Sequence, residues 1–316
     1  MTKMRTFMGL IIAAVIIYAG LWHTTGFKAE KETAAMFAKW RDKGLRVEHG
    51  KIKLSGFPYR MVITVDGLHV RTRDDGLNFG AESVMAVSHL WTPGHWVADA
   101  RNITLKAADE AIVAKDGTLR GSYRLHDNGQ TMIVIDSGST DDFELLKAPG
   151  LESPTTLKSW QLFFRTEAEH EANASGLYED RFLDFKITAE GNSNKFETIG
   201  GIMGPIVKDW TANQLGAWRD AGGLLELDNF SLTSTDGSIT GNASLTLDER
   251  FQLLGSASLK VSAPEAAASS LDALGLGKLG ASIKATGEAD LSLMMQMGSL
   301  SLDGQEILPL KPLIKD

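Results

Sequence analysis

Residues 7–22 read FMGLIIAAVIIYAGLW, and no charged side chain interrupts them. At about 1.5 Å of rise per helical residue this run is roughly 24 Å long, and the uncharged stretch 6–27, with His23 neutral, is roughly 33 Å long. The two lengths bracket the ~30 Å hydrocarbon core of a bilayer, which predicts a membrane-spanning helix over 1–27. Phe7, Ile11, Ile12, Val15 and Ile16 supply its apolar surface, and Tyr18 and Trp22 stand near its far end, where aromatic rings prefer the interface. Lys3 and Arg5 before it, and the small residues Ala19 and Gly20 near its end, also describe a secretory signal peptide. Cleavage there would put Ile17 and Ala19 at the two positions that prefer small side chains, and only Ala19 is small, which favours an uncleaved anchor. Lys28 and Lys31 follow the segment as closely as Lys3 and Arg5 precede it, so the positive-inside count does not set the orientation. The simpler arrangement retains the short N-terminal tail and exports the rest.

The composition narrows what the exported part does. Of 316 residues 43% are hydrophobic, enough for one large or two modest cores. A net charge of −8, with no basic stripe, argues against nucleic acid as a partner. The chain has no cysteine, which excludes a thiol nucleophile, thiolate metal sites and a disulfide framework.

Beyond the apolar run, residues 28–43 form a helical pattern rich in Ala, Lys and Glu, with Met36, Phe37 and Trp40 on neighbouring turns, ending at Gly44. The period then changes. β-branched runs broken by Gly and Pro predict strands around a bend at Gly56-Phe57-Pro58-Tyr59-Arg60, with Phe57 packed inward. Further strands are predicted over 83–90, 102–107, 118–125, 131–135, 160–165 and 182–188, with turn signals at Asp116-Gly117 and Asn128-Gly129. The polar stretch 136–156, with Pro149 and Pro154, reads as a seam. Residues 205–220 return to a helical pattern carrying Trp210, Leu215 and Trp218.

One joint occurs twice. Trp40-Arg41-Asp42-Lys43-Gly44 recurs as Trp218-Arg219-Asp220-Ala221-Gly222, each at the end of an amphipathic pattern and before a strand-like run. A glycine there suits a left-handed helix cap. The recurrence admits two readings, a two-fold internal repeat or convergent use of one helix-to-strand joint.

The last third alternates. Ile283, Ala285, Gly287, Ala289, Leu291, Leu293, Met295 and Met297 share one face of a long strand predicted over 283–297, and residues 253–261 behave likewise. Strands with one apolar and one wet face belong to antiparallel sheets. Residues 264–274 read as a short Ala-rich helix between them. The fold class expected is therefore α+β, predominantly antiparallel β: an N-terminal transmembrane helix, then curved antiparallel sheets with a few packing helices, in halves over 28–150 and 151–316.

Catalytic motifs are missing. Gly275, Gly277 and Gly280 spell G-x-G-x-x-G, but in a helix-to-strand context rather than the strand-to-helix context that dinucleotide binding requires, so they read as a turn. The seven histidines show no metal-ligand spacing, and no G-x-S-x-G elbow occurs. Asp74-Asp75 and Asp141-Asp142 read as solvated turns. No catalytic residue, metal ligand or cofactor is assigned. Ile283, Leu291, Leu293, Met295 and Met297, with Trp91 and Trp96 from the aromatic turn around Pro93, are candidates to line an apolar groove, since thioethers and indoles give an adaptable apolar surface. Ordinary core filling is the competing reading.

The apolar N-terminal segment, the helix ending Trp40-Arg41-Asp42-x-Gly44, Ser55-Gly56-Phe57-Pro58-Tyr59-Arg60, the turn near Pro93, and Leu215-x-x-Trp218-Arg219-x-x-Gly222-Gly223 together resemble the bacterial (alphaproteobacterial-type) envelope domain-of-unknown-function family 2125. The resemblance runs through nearly the whole chain and concerns structural motifs. The segments 241–248 and 298–304 are similar, more faintly, to the C-terminal strands of AsmA-type envelope proteins, which implies lipid movement. These similarities imply a single-pass protein of the bacterial inner membrane with its large domain in the periplasm. The expected function is non-enzymatic binding of lipid, or another apolar ligand, in a β-sheet groove. The alternatives are an envelope interaction module with a self-buried core, engaging an envelope protein partner, and, third, an envelope hydrolase.

Overall fold

The structure is a computed structural model and describes residues 2–72, 77–107, 110–113, 118–137, 143–147, 155–168, 170–173, 178–207, 211–273, 276–287 and 289–314. Asp74-Asp75, Asp116-Gly117, Asp141-Asp142, Pro149, Pro154, Trp210 and Gly275, named above, lie outside them. The chain divides into two compact units, residues 1–124 and, apart from the short segment 138–140, residues 125–316.

The first unit opens with α1 (Thr2–Asp42), a single helix of 41 residues, roughly 60 Å long. The apolar run and the amphipathic pattern that follows it are thus one continuous helix. One part of it, near the N-terminus, is long and apolar enough to cross a membrane. Its end is set by backbone chemistry. Gly44, at φ +94°, donates to the Arg41 carbonyl at 2.9 Å while Leu45 donates to the Trp40 carbonyl at 3.0 Å. This paired closure satisfies two carbonyls that the helix end would otherwise leave orphaned.

The sheet of the first unit is built on β3 (Arg60–Arg71). The short strands β1 (Arg46–Glu48) and β2 (Ile52–Ser55) share one edge of it, and β4 (Leu77–His89) takes the other. β5 (Thr92–Arg101) and β6 (Thr104–Ala107) lie end to end along β4. β7 (Glu110–Val113) pairs with β6, and β8 (Thr118–Leu125) with β5. Every pairing is antiparallel. Phe37 of α1 packs with Val47, Ile63, Val65 and Leu68 of the sheet to form the core.

The second unit is an antiparallel meander. β9 (Thr131–Asp136) and β10 (Phe143–Lys147) share one edge of β11 (Thr155–Thr166). From β11 each strand pairs with the next: β12 (Arg181–Gly191), β13 (Asn194–Met203), β14 (Leu224–Ser234), β15 (Ser238–Leu247), β16 (Leu253–Ser262), β17 (Asp290–Gln296), β18 (Ser299–Leu302) and β19 (Gln305–Pro309). Between β13 and β14 lies α2 (Ala212–Asp220). Between β16 and β17 lie α3 (Pro264–Ala273) and α4 (Gly277–Thr286). Among the described residues neither sheet closes on itself.

Three sequence expectations need correction. The helical pattern over 205–220 becomes a helix only from Ala212, because Thr211 caps it, its hydroxyl accepting from the Gln214 amide at 3.4 Å. The strand predicted over 283–297 is a helix, α4, followed by the shorter β17. Gly287, at φ +65°, ends α4 and separates the two. Gly277 and Gly280 belong to α4 rather than to a helix-to-strand turn, and Gly280 lets α4 approach α3: a Cβ there would stand 2.7 Å from the Ala268 carbonyl oxygen.

Candidate functional site

The second unit uses its apolar faces on itself. Ile283 is 0% exposed on α4, and Leu291, Leu293 and Met295 point from β17 into the same packed cluster, together with Leu259, Val261, Ala267 and Leu271. Those four groove candidates are therefore covered by α3, α4 and neighbouring strands. Met297 does the opposite: it sits in the β17–β18 turn at φ +51° and is almost wholly exposed.

The first unit is less filled. Between α1 and the sheet lies an apolar cleft of about 430 Å3. Met36, Phe37 and Trp40 line it from the helix, and Ile63, Val65, Val84, Ala86, Trp96, Ala98 and Tyr123 from the sheet. Trp96, one of the two predicted indoles, forms part of its wall, and its Nε1 donates to the Pro93 carbonyl at 3.0 Å. Ala86 and Ala98 face each other across β4 and β5. Two methyl-sized side chains at adjacent inner positions leave space that larger residues would have filled. The polar exceptions on the helix side are Glu32 and Thr33. The volume lies within the range of small-ligand sites, which are largely apolar with a few polar groups.

At the end of the apolar run the helix is tied to the sheet. Gly56, at φ +96°, opens the β2–β3 turn, and Arg60 closes it by donating to the Gly56 carbonyl at 3.0 Å. The Tyr18 hydroxyl donates to the Pro58 carbonyl, and Trp22 Nε1 donates to the Arg60 carbonyl at 2.9 Å. Trp22 is buried and meets Phe57 edge-on at 5.4 Å, while His23, itself edge-on to Trp22 at 5.0 Å, stacks with Phe57 at 6.1 Å. Phe57 is nonetheless 51% exposed, and Tyr59 71%, so the turn is not packed inward. The residues around Pro93 also differ from expectation. Thr92 already begins β5, and Trp91 is 64% exposed, stacked on His89 at 5.1 Å, rather than a core indole. Sequence reasoning identified both aromatic turns but had no signal that they adjoin, which comes from the pairing of Arg60 with His89.

Two polar hollows lie in the second unit. One, about 690 Å3, is lined by Arg165, Glu167, His170, Glu179, Arg181, Asp184 and Glu226. Arg181 organises its edge, donating to Asp228 at 2.7 and 2.5 Å and to Glu226 at 2.7 Å. Those hydrogen bonds raise the guanidinium above its ordinary range and hold the Asp228 carboxyl below its own. The Glu226 and Asp228 carboxylates are both occupied by this arginine. The other hollow, about 570 Å3, lies over β14–β17 and is lined by Asp228, Asp290, Asp303 and Lys260 with Ser, Thr and Asn side chains between them. Among the described residues no three His, Asp or Glu side chains converge as a metal site.

No curated protein and no solved structure matches this chain significantly. Residues 22–310 match one family throughout, from the buried Trp22 to the segment after β19. The match takes in the helix-to-strand joints, the turn at Gly56 and every strand of the second unit. The chain belongs to DUF2125, the family described as an uncharacterized protein conserved in bacteria.

Proposed function

We propose that this is a non-enzymatic protein of the bacterial envelope, anchored in the inner membrane by α1 with both units in the periplasm, and that the cleft of the first unit holds an apolar chain of lipid character. The observation that carries the reading is the cleft and where it lies. Its helix wall runs from Ala29 to Trp40, roughly 16 Å, and starts roughly 10 Å beyond Trp22. An apolar ligand leaving a bilayer along α1 would meet the cleft first.

The anchor reading rests on the surface of α1. Met8, Leu10, Ile11, Ile12, Val15, Ile16, Ile17 and Leu21 are all exposed. At about 1.5–3 kcal/mol for each large apolar side chain moved fully out of water, lipid around these eight residues is favoured by at most roughly 12–24 kcal/mol. For the second unit, the packed cluster under α3 and α4 favours a different role: a self-filled module that contacts an envelope partner through its surface.

Lipid co-purification tests the proposal. The full-length chain, extracted in mild detergent and analysed by native mass spectrometry, is expected to retain lipid. Ala98→Phe, which fills the cleft, is expected to lose it with an unchanged circular dichroism spectrum. No lipid above background, or equal retention in the filled variant, overturns the cleft as the site. Digestion of the large domain only from the cytoplasmic side would overturn the periplasmic assignment.

A further inference from the structure

We propose that the β2–β3 turn and the β4–β5 turn form an aromatic collar that seats in the surface of the bilayer crossed by α1, so that the first unit is fixed to the membrane rather than swinging from it. The inference rests on the anchor reading and adds a second membrane contact to it.

Depth is the first argument. Tyr18 and Trp22 are the residues of α1 that bond the turn, and both lie within the uncharged run. The carbonyls of Pro58 and Arg60 are therefore held at the height of the last two turns of the apolar segment. A helix that spans places that height at the boundary between acyl chains and headgroups. The turn cannot be far from the bilayer while these bonds persist.

Chemistry is the second argument. The side chains that project at this level are Phe57, Tyr59 and Trp91, each more than half exposed, although Trp22 and His23 beside them are engaged with Phe57. His89 joins the two turns, its Nδ1 3.3 Å from the Tyr59 carbonyl oxygen and its ring stacked on Trp91. Exposed aromatic rings on two adjoining turns are costly in water, and at a membrane interface they are the preferred residues. Arg60 adds a cation that makes no ion pair among the described residues, suited to lipid phosphate at that height. The consequence is geometric: two attachments, helix and collar, hold the cleft at a set height above the bilayer.

The lack of cysteine gives a clean test. Tyr59→Cys, Trp91→Cys, Val15→Cys and Lys106→Cys are each labelled with an environment-sensitive fluorophore in the full chain. The chains are reconstituted in phosphatidylcholine–phosphatidylglycerol vesicles containing nitroxide-labelled lipid. Tyr59 and Trp91 lie outside the core, so their replacement leaves the fold intact. Lys106 pairs with Asn78, roughly 36 Å along β4 from His89, and serves as the remote site. Labels at 59 and 91 are expected to shift to the blue and lose intensity to the nitroxide, as at 15, while 106 does neither. If 15 is quenched and 59 and 91 behave like 106, the collar is wrong and the anchor stands. If 15 is not quenched, the anchor reading itself falls and the collar with it.

Discussion

Trp40 and Trp218 occupy the same local structure and end in different surroundings. In both joints the glycine in the left-handed region donates to the arginine carbonyl, at 2.9 Å for Gly44 and 3.0 Å for Gly222. In both, the next residue donates to the tryptophan carbonyl, at 3.0 Å from Leu45 and 2.8 Å from Gly223. The side chains then diverge. Trp218 is buried, bonded through Nε1 to the Met203 carbonyl at 2.7 Å, and packed with Phe182, Leu215 and Leu247. Trp40 is half-buried, tilted against Phe37 at 5.6 Å, and walls the open cleft. The residue after the cap glycine accounts for the difference. A Cβ on Gly223 would stand 2.2 Å from the Trp218 ring, so that indole lies flat on the chain only because glycine is there. The first unit has Leu45 at the corresponding place, and its tryptophan cannot fold down in the same way. One motif, with one side chain added, leaves its indole in a packed core in one unit and at the wall of an apolar cleft in the other.

Substitutions can break this comparison. Trp218→Ala empties a core position and is expected to cost roughly 3–5 kcal/mol, whereas Trp40→Ala, at the wall of an existing cleft, should cost clearly less. Urea unfolding of the full chain in detergent measures both, and equal losses would mean that the two indoles are equally packed. Gly223→Ala drives a methyl into the indole and is expected to cost about 1–3 kcal/mol, with a shift in Trp218 fluorescence that follows its displacement.

Gly44→Ala and Gly222→Ala sharpen it instead. Each forces a side chain into the left-handed region, at about 1–2 kcal/mol, and the two losses should agree because the backbone geometry is shared. A large inequality would separate the joints at the level of the backbone.

The smallest effect concerns a feature that only the second unit carries, the Arg181–Asp228 pair. Its folded-state carboxyl titrates below the unfolded value, so its stabilisation is present above the ordinary aspartate range and is lost as pH falls through the depressed value. The pair is largely solvated, so Asp228→Asn should cost under about 1 kcal/mol at neutral pH and flatten the acid limb of a stability profile. An unchanged acid limb would show the pair to be energetically idle.

These contrasts also mark what the sequence could carry. The cap glycines, most of the strands, and the Ala-rich α3 were legible because each depends on local chemistry: a positive φ, β-branched runs, an apolar helical face. The strand expected over 283–297 failed for a physical reason. Its first half alternates through Ile283, Ala285, Gly287 and Ala289, and small residues at every second place satisfy a period of two without needing a sheet. Ile283 and Gly280, one turn apart, fit a helix equally well, and packing against α3 decides it. Of the groove candidates, Trp96 does line an apolar cleft, but on the other unit from Leu291, Leu293 and Met295. The cleft itself had no signal along the chain: it lies between α1 and the sheet where Ala86 stands opposite Ala98, a juxtaposition set by strand register and by the approach of the helix.

Quenching of intrinsic fluorescence tests the central difference most directly. A brominated fatty acid is titrated into the full-length chain in detergent and compared across Trp40→Phe/Trp96→Phe and Trp218→Phe variants. Trp22 and Trp91, at the detergent boundary, contribute quenching that rises linearly with micellar fatty acid in every variant. An open, lipid-accepting first unit and a packed second unit predict a further, saturable component that disappears in the Trp40/Trp96 double variant and persists undiminished in Trp218→Phe. A saturable component that survives the double variant, or that depends on Trp218, would contradict the account.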